Sequence, residues 1–227
     1  MAKAYTLAAL TVCPVESAPR VEVVFSAEKP FYSQKHDSAS LKLSMSKDKE
    51  STLATDKRAV VFGATTSVTG GITRVSFKTK TDRSGNQCIY VDKAVFWLDY
   101  RPAIFISSDI LDMECSYKTT LAHEKQHVAI DIKAIQDYIP YIKVDMLLYL
   151  KSIGYQGFGP YNKSELPKHK ERLLKSIVKA GQPMIEKLRE ARRRRQGLID
   201  TEENYRREAA KCPQDRELIA ERFHGKR

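Results

Sequence analysis

Near Asp109 the hydrophobic period of this 227-residue chain changes from two to about 3.6, which sets the order of its layers as strands first and helices second. Before the switch, Val21, Val23 and Phe25 alternate with polar neighbours, and Leu41, Leu43 and Met45 do the same, as half-buried strands require. Further strands are expected over 59–62, 73–78 and 89–98, with a polar loop over 46–57 and turns at Gly70-Gly71 and Ser84-Gly85-Asn86. The apolar segments AVFWLDY and AIFIS meet at Arg101-Pro102, which reads as a tight connection. An antiparallel sheet is the simplest account of this half.

After the switch a helix is expected from Ser116 to about Ile153, interrupted at Pro140 by a kink or a break between two helices, because proline removes a backbone donor. The turn-rich GYQGFGPY then leads to a long charged helix over 164–196, with a break expected near 181–183, and a short helix over 201–210. No internal repeat is visible. The expected fold class is α+β: one domain over 13–212, with an N-terminal antiparallel sheet at about 20–108 and a helical C-terminal region at about 116–210, followed by a charged tail over 213–227. With 42% hydrophobic and 30% charged residues the chain can bury one sizeable core. No run approaches the roughly 18 to 20 apolar residues that cross a bilayer, so a polytopic membrane protein is excluded.

One helical segment carries chemistry. His123, Glu124 and His127 form HExxH, in which two histidines at i and i+4 share a face and can bind one Zn²⁺ while the intervening glutamate acts on a water. On a 100° wheel Lys125, Gln126, Lys133, Gln136 and Asp137 occupy one polar arc, leaving both histidines inward beside Ile130 and Ala134. Inward histidines need partners for their ring nitrogens, and a metal with outer acceptors supplies them; the blander reading is two satisfied core histidines without a metal.

A third ligand is needed. Asp131 lies eight residues past His123, about 12 Å along the axis, too far for a short side chain to share the metal easily. It is expected to orient a neighbour or to cap an internal charge, against the plainer reading of an ordinary polar edge. The helix continues through HVAIDIK with no glycine to return a third histidine, so the downstream acids Glu165, Asp200, Glu202 and Glu203 are the candidates. In IDTEENYRRE, Asp200 or Thr201 suits an N-cap and Glu203 falls in the first turn, which makes Glu203 the expected third ligand. Tyr205 is placed as an oxyanion donor, with a packed helix tyrosine as the alternative.

These assignments describe hydrolysis of a peptide bond by a metal-activated water with Glu124 as general base, on a peptide or protein substrate paired along an edge strand at 103–107. The competing expectation is a non-catalytic binding or structural protein whose basic C-terminal helix docks on an anionic partner. Residues 161–227 hold nineteen Lys or Arg against eleven acids and so carry +8 of the net +11. The run Arg192, Arg193, Arg194 and Arg195 has no interleaved aromatics, so it reads as a solvated helix face rather than a nucleic-acid contact. Oligomeric state is not legible.

Cys13, Cys88, Cys115 and Cys212 form no CxxC pair, which argues against a zinc ribbon or a redox dithiol and permits two disulfides in any of three connectivities. Because Cys88 opens a strand and Cys115 precedes the motif helix, a hairpin between them favours Cys88–Cys115, with Cys13–Cys212 as the second pair; the alternative is four reduced thiols in a cytosolic protein. Lys3 and the apolar run 4–12 form a short signal-like segment over 1–12 and favour a periplasmic or secreted protein.

The segment from Cys88 through LDYRPAIFIS, then Cys115-Ser-Tyr and LAHEKQHVAI, resembles the predicted secreted zinc-dependent proteases of bacteria. CPVESAPRVEV near the start and IDTEENYRREAAKC near the end are similar to the same chains, so the resemblance runs over about 13–212; only HExxH is a specific motif. The resemblance implies a zincin-like domain, export, zinc and a peptidase-like site, and it names no substrate.

Overall fold

The computed structural model describes residues 13–46, 60–82, 84–155 and 157–225. The signal-like segment 1–12 and, apart from Ser46, the loop expected over 46–57 lie outside them. The elements are β1 (Arg20–Ala27), β2 (Phe31–Ser33), α1 (Ser38–Ser46), β3 (Gly63–Thr81), β4 (Gln87–Ile106), α2 (Glu114–Ser152), β5 (Phe158–Tyr161), α3 (Leu166–Gln196), α4 (Glu202–Ala209) and α5 (Arg216–His224). The fold is thus mixed α and β, and no described helix is long and apolar enough to cross a membrane.

The sheet has five strands, and β4 pairs with each of the other four. Nine of the thirteen β4 residues from Cys88 to Tyr100 are buried, and Asp92, Lys93, Trp97 and Asp99 are half-buried. The sheet is mixed rather than antiparallel as expected: β2 runs parallel to β4, with Phe31 opposite Ala103 and Ser33 opposite Phe105, while β5 is antiparallel, with Gln87 opposite Tyr161. A parallel neighbour is available because α1 and β3 intervene between β2 and β4 and reverse the chain. The turn Ser84-Gly85-Asn86 forms as expected, closed by Asp82 N–H donating to Asn86 O at 2.7 Å.

Several local expectations yield to tertiary packing. Leu41, Leu43 and Met45 lie on α1, not on a strand; Asp37 Oδ1 accepts from Ser40 N–H at 2.7 Å and starts the helix, and only Leu41 turns fully inward. Residues 60–62 are not strand and Ala59 lies outside the described residues, so β3 begins at Gly63. Gly70-Gly71 makes no turn, because β3 runs straight through it. Likewise Arg101-Pro102 lies inside β4, where Pro102 falls between the bond from Glu28 N–H to Tyr100 O and the first β2 register position at Ala103. The connection GYQGFGPY contains β5, and the tail read over 213–227 contains α5.

Neither long helix is divided in two: the break expected near 181–183 does not occur, and of the two outcomes expected at Pro140 the break does not. Pro140 lies within α2 and costs about 3 kcal/mol in a helix interior. Ile135 before it and Ile142, Met146 and Leu150 after it are fully buried, at roughly 1.5 to 3 kcal/mol each, which outweighs that cost. Gly181 and Pro183 lie within α3. A Cβ on Gly181 would stand 3.2 Å from the Phe96 ring, so this glycine marks a close approach of helix to strand rather than a stop.

The chain forms two compact units. Of the described residues, one comprises 13–24, Gly71–Trp97 and Ile139–Ile185; it buries Ile89, Phe96, Ile142, Met146 and Ile177 and holds the Cys13–Cys88 disulfide. The other comprises Phe25–Gly70, Leu98–Tyr138 and Glu186–Arg227; it buries Tyr100, Ile104, Ile110, Met113 and Leu188 and holds the Cys115–Cys212 disulfide. The expected pairs Cys88–Cys115 and Cys13–Cys212 are therefore replaced. Cys88 and Cys115 belong to different units, and β4 continues to Ile106 with no hairpin to return one toward the other.

Candidate metal centre

The motif half of α2 lies in the second unit, and its N-terminus is held twice. Asp215 Oδ2 accepts from both the N–H and the hydroxyl of Ser116 at 2.8 Å, and the Cys115–Cys212 disulfide ties the same turn to the end of α4. A carboxylate there also suits the helix dipole. The sulfurs of that disulfide lie near Asp215, but the bond between them occupies them, leaving one other close group of metal-type donors among the described residues.

That group is built on the inward face of α2, where His123, Glu124, His127 and Asp131 are all buried. Burying such groups without partners is costly, most of all for the two carboxylates, so each must be paired. His123 Nε2 and His127 Nε2 are 3.0 Å apart, and Asp200 Oδ1 lies 3.2 Å from the first and 3.0 Å from the second. The other ring nitrogens face outward acceptors: His123 Nδ1 lies 3.2 Å from Glu208 Oε2, and His127 Nδ1 donates to Gln196 Oε1. Ligands about 2.0 to 2.1 Å from a tetrahedral zinc stand about 3.3 Å apart, so the triangle of two imidazoles and a carboxylate fits such an ion.

The acid in this triangle is Asp200, not the expected Glu203. Thr201 caps α4 by accepting from Asn204 N–H at 3.2 Å, which leaves Asp200 just ahead of the helix and facing the histidines, while Glu203 in the first turn is exposed. Glu202 is engaged by Arg206 on the surface. Tyr205 donates to Asp200 Oδ1 at 2.6 Å, and its ring stands 5.2 Å from that of His123.

Glu124 is held from β3. Thr65 donates to Glu124 Oε2 at 2.7 Å, and Gly63 is a glycine because a Cβ there would stand 2.6 Å from Glu124 Oε1. Alternate residues of β3 share one face, and the next two on this face are also hydroxyls. Ser67 accepts from Arg192 at 2.5 Å, and Thr69 accepts from the same guanidinium. Arg192 is thus interior, contrary to the expectation of a solvated face. It grips Asp131 with two N–H groups, lies over the Tyr100 ring and is 12% exposed, so the pair is desolvated. Arg194 and Arg195 do pair on the surface, with Glu190 and Asp137. Asp131 caps an internal charge, as expected, and also accepts from Tyr100 and from Gln196 Nε2 at 2.7 Å.

Sequence reasoning missed Glu208, Gln196 and the Thr65, Ser67, Thr69 row. The row had a signal, three hydroxyls at period two in GATTSVTG, with nothing local to name their partners. A cleft of about 690 Å³ opens beside the site and is lined by Glu124, His127, Asp200, Tyr205 and the consecutive residues 63–69.

Burial pulls the His127 pKa down, but the hydrogen bond and charge of Asp200 and the charge of Glu124 more than reverse this and hold it at about 9. His123 is likewise raised, with Asp200 and Glu124 outweighing burial. Burial raises Glu124; Asp200 is held well below the carboxylate range because the two histidines outweigh its burial. In metal-free protein a His127 pKa above its unfolded value of about 6.5 gives stabilisation fully present below that pH and lost as pH rises through about 9. The Tm of chelator-treated protein should therefore fall across this window, while the rise in Tm on adding zinc should grow. A Tm shift from zinc that shrinks from pH 6.5 to 9 contradicts this.

Comparison of the chain with protein-family models, with curated proteins and with solved structures finds no match.

Proposed function

We propose that this chain is a zinc-dependent metallopeptidase of the secreted bacterial type it resembles, with His123, His127 and Asp200 as ligands and Glu124 as general base. The observation that carries the reading is the convergence of three metal-type donors beside a buried glutamate at the wall of an open cleft. Zinc in such a set acts as a Lewis acid and lowers the pKa of a water to about 7. Thr65 occupies Glu124 Oε2, which leaves Oε1 to take the proton of the attacking water and return it to the departing amine nitrogen as the C–N bond breaks. Burial raises the proton affinity of Glu124, which suits it to that exchange. Tyr205 steadies Asp200, and a part toward a tetrahedral oxyanion requires it to exchange that bond.

The edge expected to receive a peptide, 103–107, is taken at 103–105 by β2. β3 pairs only with β4 among the described residues, and its successive residues from Gly63 to Thr69 all line the cleft, as a backbone edge does. An extended peptide adds there through main-chain hydrogen bonds. Two disulfides favour an oxidising compartment, periplasmic or extracellular.

The test is a mixture of unstructured peptides incubated with zinc-loaded protein, with products read by mass spectrometry. Cleavage lost on chelation and restored by zinc is the expected result, and intact peptides throughout would overturn the reading.

A further inference from the structure

The two histidines of the site are oriented by unlike groups, a carboxylate on His123 and an amide on His127. A carboxylate presents an acceptor however it turns, whereas an amide presents an acceptor or a donor depending on which way it faces. Gln196 is not free to choose. Its Nε2 donates to Asp131 Oδ1 at 2.7 Å and to His127 O at 2.9 Å, two atoms that can only accept, so its Oε1 is the atom left for His127 Nδ1. Asp131 is fixed in turn: Arg192 reaches both of its oxygens, and Tyr100 donates at 3.0 Å.

We propose that Gln196 is a positioning residue whose amide, set by Asp131, holds His127 in the tautomer with Nδ1 protonated and the Nε2 lone pair directed at the metal. The inference rests on the metal reading of the site and adds residues that touch no metal. An amide turned the other way would place an N–H against Nδ1 and favour the tautomer whose Nε2 carries the proton and cannot ligate. Asp131, eight residues from His123, thus acts on the site through Gln196 without reaching it.

The experiment measures zinc affinity by competition with a chromophoric chelator, with circular dichroism of each metal-free variant as the check of folding. Gln196→Met keeps the length and removes the acceptor; it should bind zinc about 10 to 100 times more weakly than wild type. Asp131→Asn offers Gln196 a donor and lets the amide turn, so it should weaken zinc binding similarly. In the Gln196→Met background Asp131→Asn should add little, because its route to the metal is gone. Wild-type zinc binding with Gln196→Met within about twofold overturns this inference alone. An Asp131→Asn loss undiminished in the Gln196→Met background overturns the link through Gln196. A wild-type chain that takes up no zinc overturns the metal reading and this inference with it.

Discussion

Glu124→Gln is expected to bind zinc as wild type does and to lose about 10² to 10⁴ in kcat for peptide hydrolysis. The substitution is nearly isosteric, and the amide oxygen can still accept from Thr65, which donates to Glu124 Oε2 at 2.7 Å. The side chain therefore stays where β3 holds it and loses only the capacity to take a proton. Because Glu124 is outside the triangle of His123, His127 and Asp200, zinc content is the control that separates a base from a ligand. A variant that loses zinc reassigns Glu124, and one that retains activity removes it from the reaction.

Arg192→Met is expected to destabilise the fold by about 3 to 5 kcal/mol, the range for breaking a buried ion pair from one side. Its partner Asp131 has a side chain only 5% exposed, so the carboxylate left behind stays out of water. Ser67 and Thr69 lose their donor at the same time. Arg194→Gln, two residues on, removes a surface pair with Glu190 and should stay within about 0.5 kcal/mol of wild type. Urea unfolding of the two variants side by side checks the contrast; equal, small effects would mean that all four arginines are a solvated face.

What the sequence made legible was local. His123, Glu124 and His127 declare themselves because spacing and helical period are carried by one continuous segment, and the inward face read from the wheel is the buried one. The third donor of the triangle comes from a distant segment holding Asp200, Glu202 and Glu203, and which of them turns inward depends on where Thr201 begins α4. Arg192 was hidden inside a run of four identical residues, because period alone does not show which of them meets Asp131. The disulfides were legible as a pair of bridges, but their partners follow from the division of the chain into two units. At Pro140 and Gly181 burial exceeded the local cost of proline or glycine and the helices continue, whereas at the exposed Gly70-Gly71 the strand continues with no burial to account for it. The helix α1 was misread because alternation over five residues fits a short helix as well as a strand.

The central claim is that two histidines of α2 and Asp200 hold one zinc ion. Elemental analysis of protein purified without chelator and supplied with zinc tests it most directly, on wild type beside Asp200→Ala, His127→Ala and Glu203→Ala. One zinc per chain is expected in wild type and in Glu203→Ala, and well under one in Asp200→Ala and His127→Ala. Wild-type protein with well under one zinc per chain, or Asp200→Ala that keeps its zinc while Glu203→Ala loses it, would contradict the account.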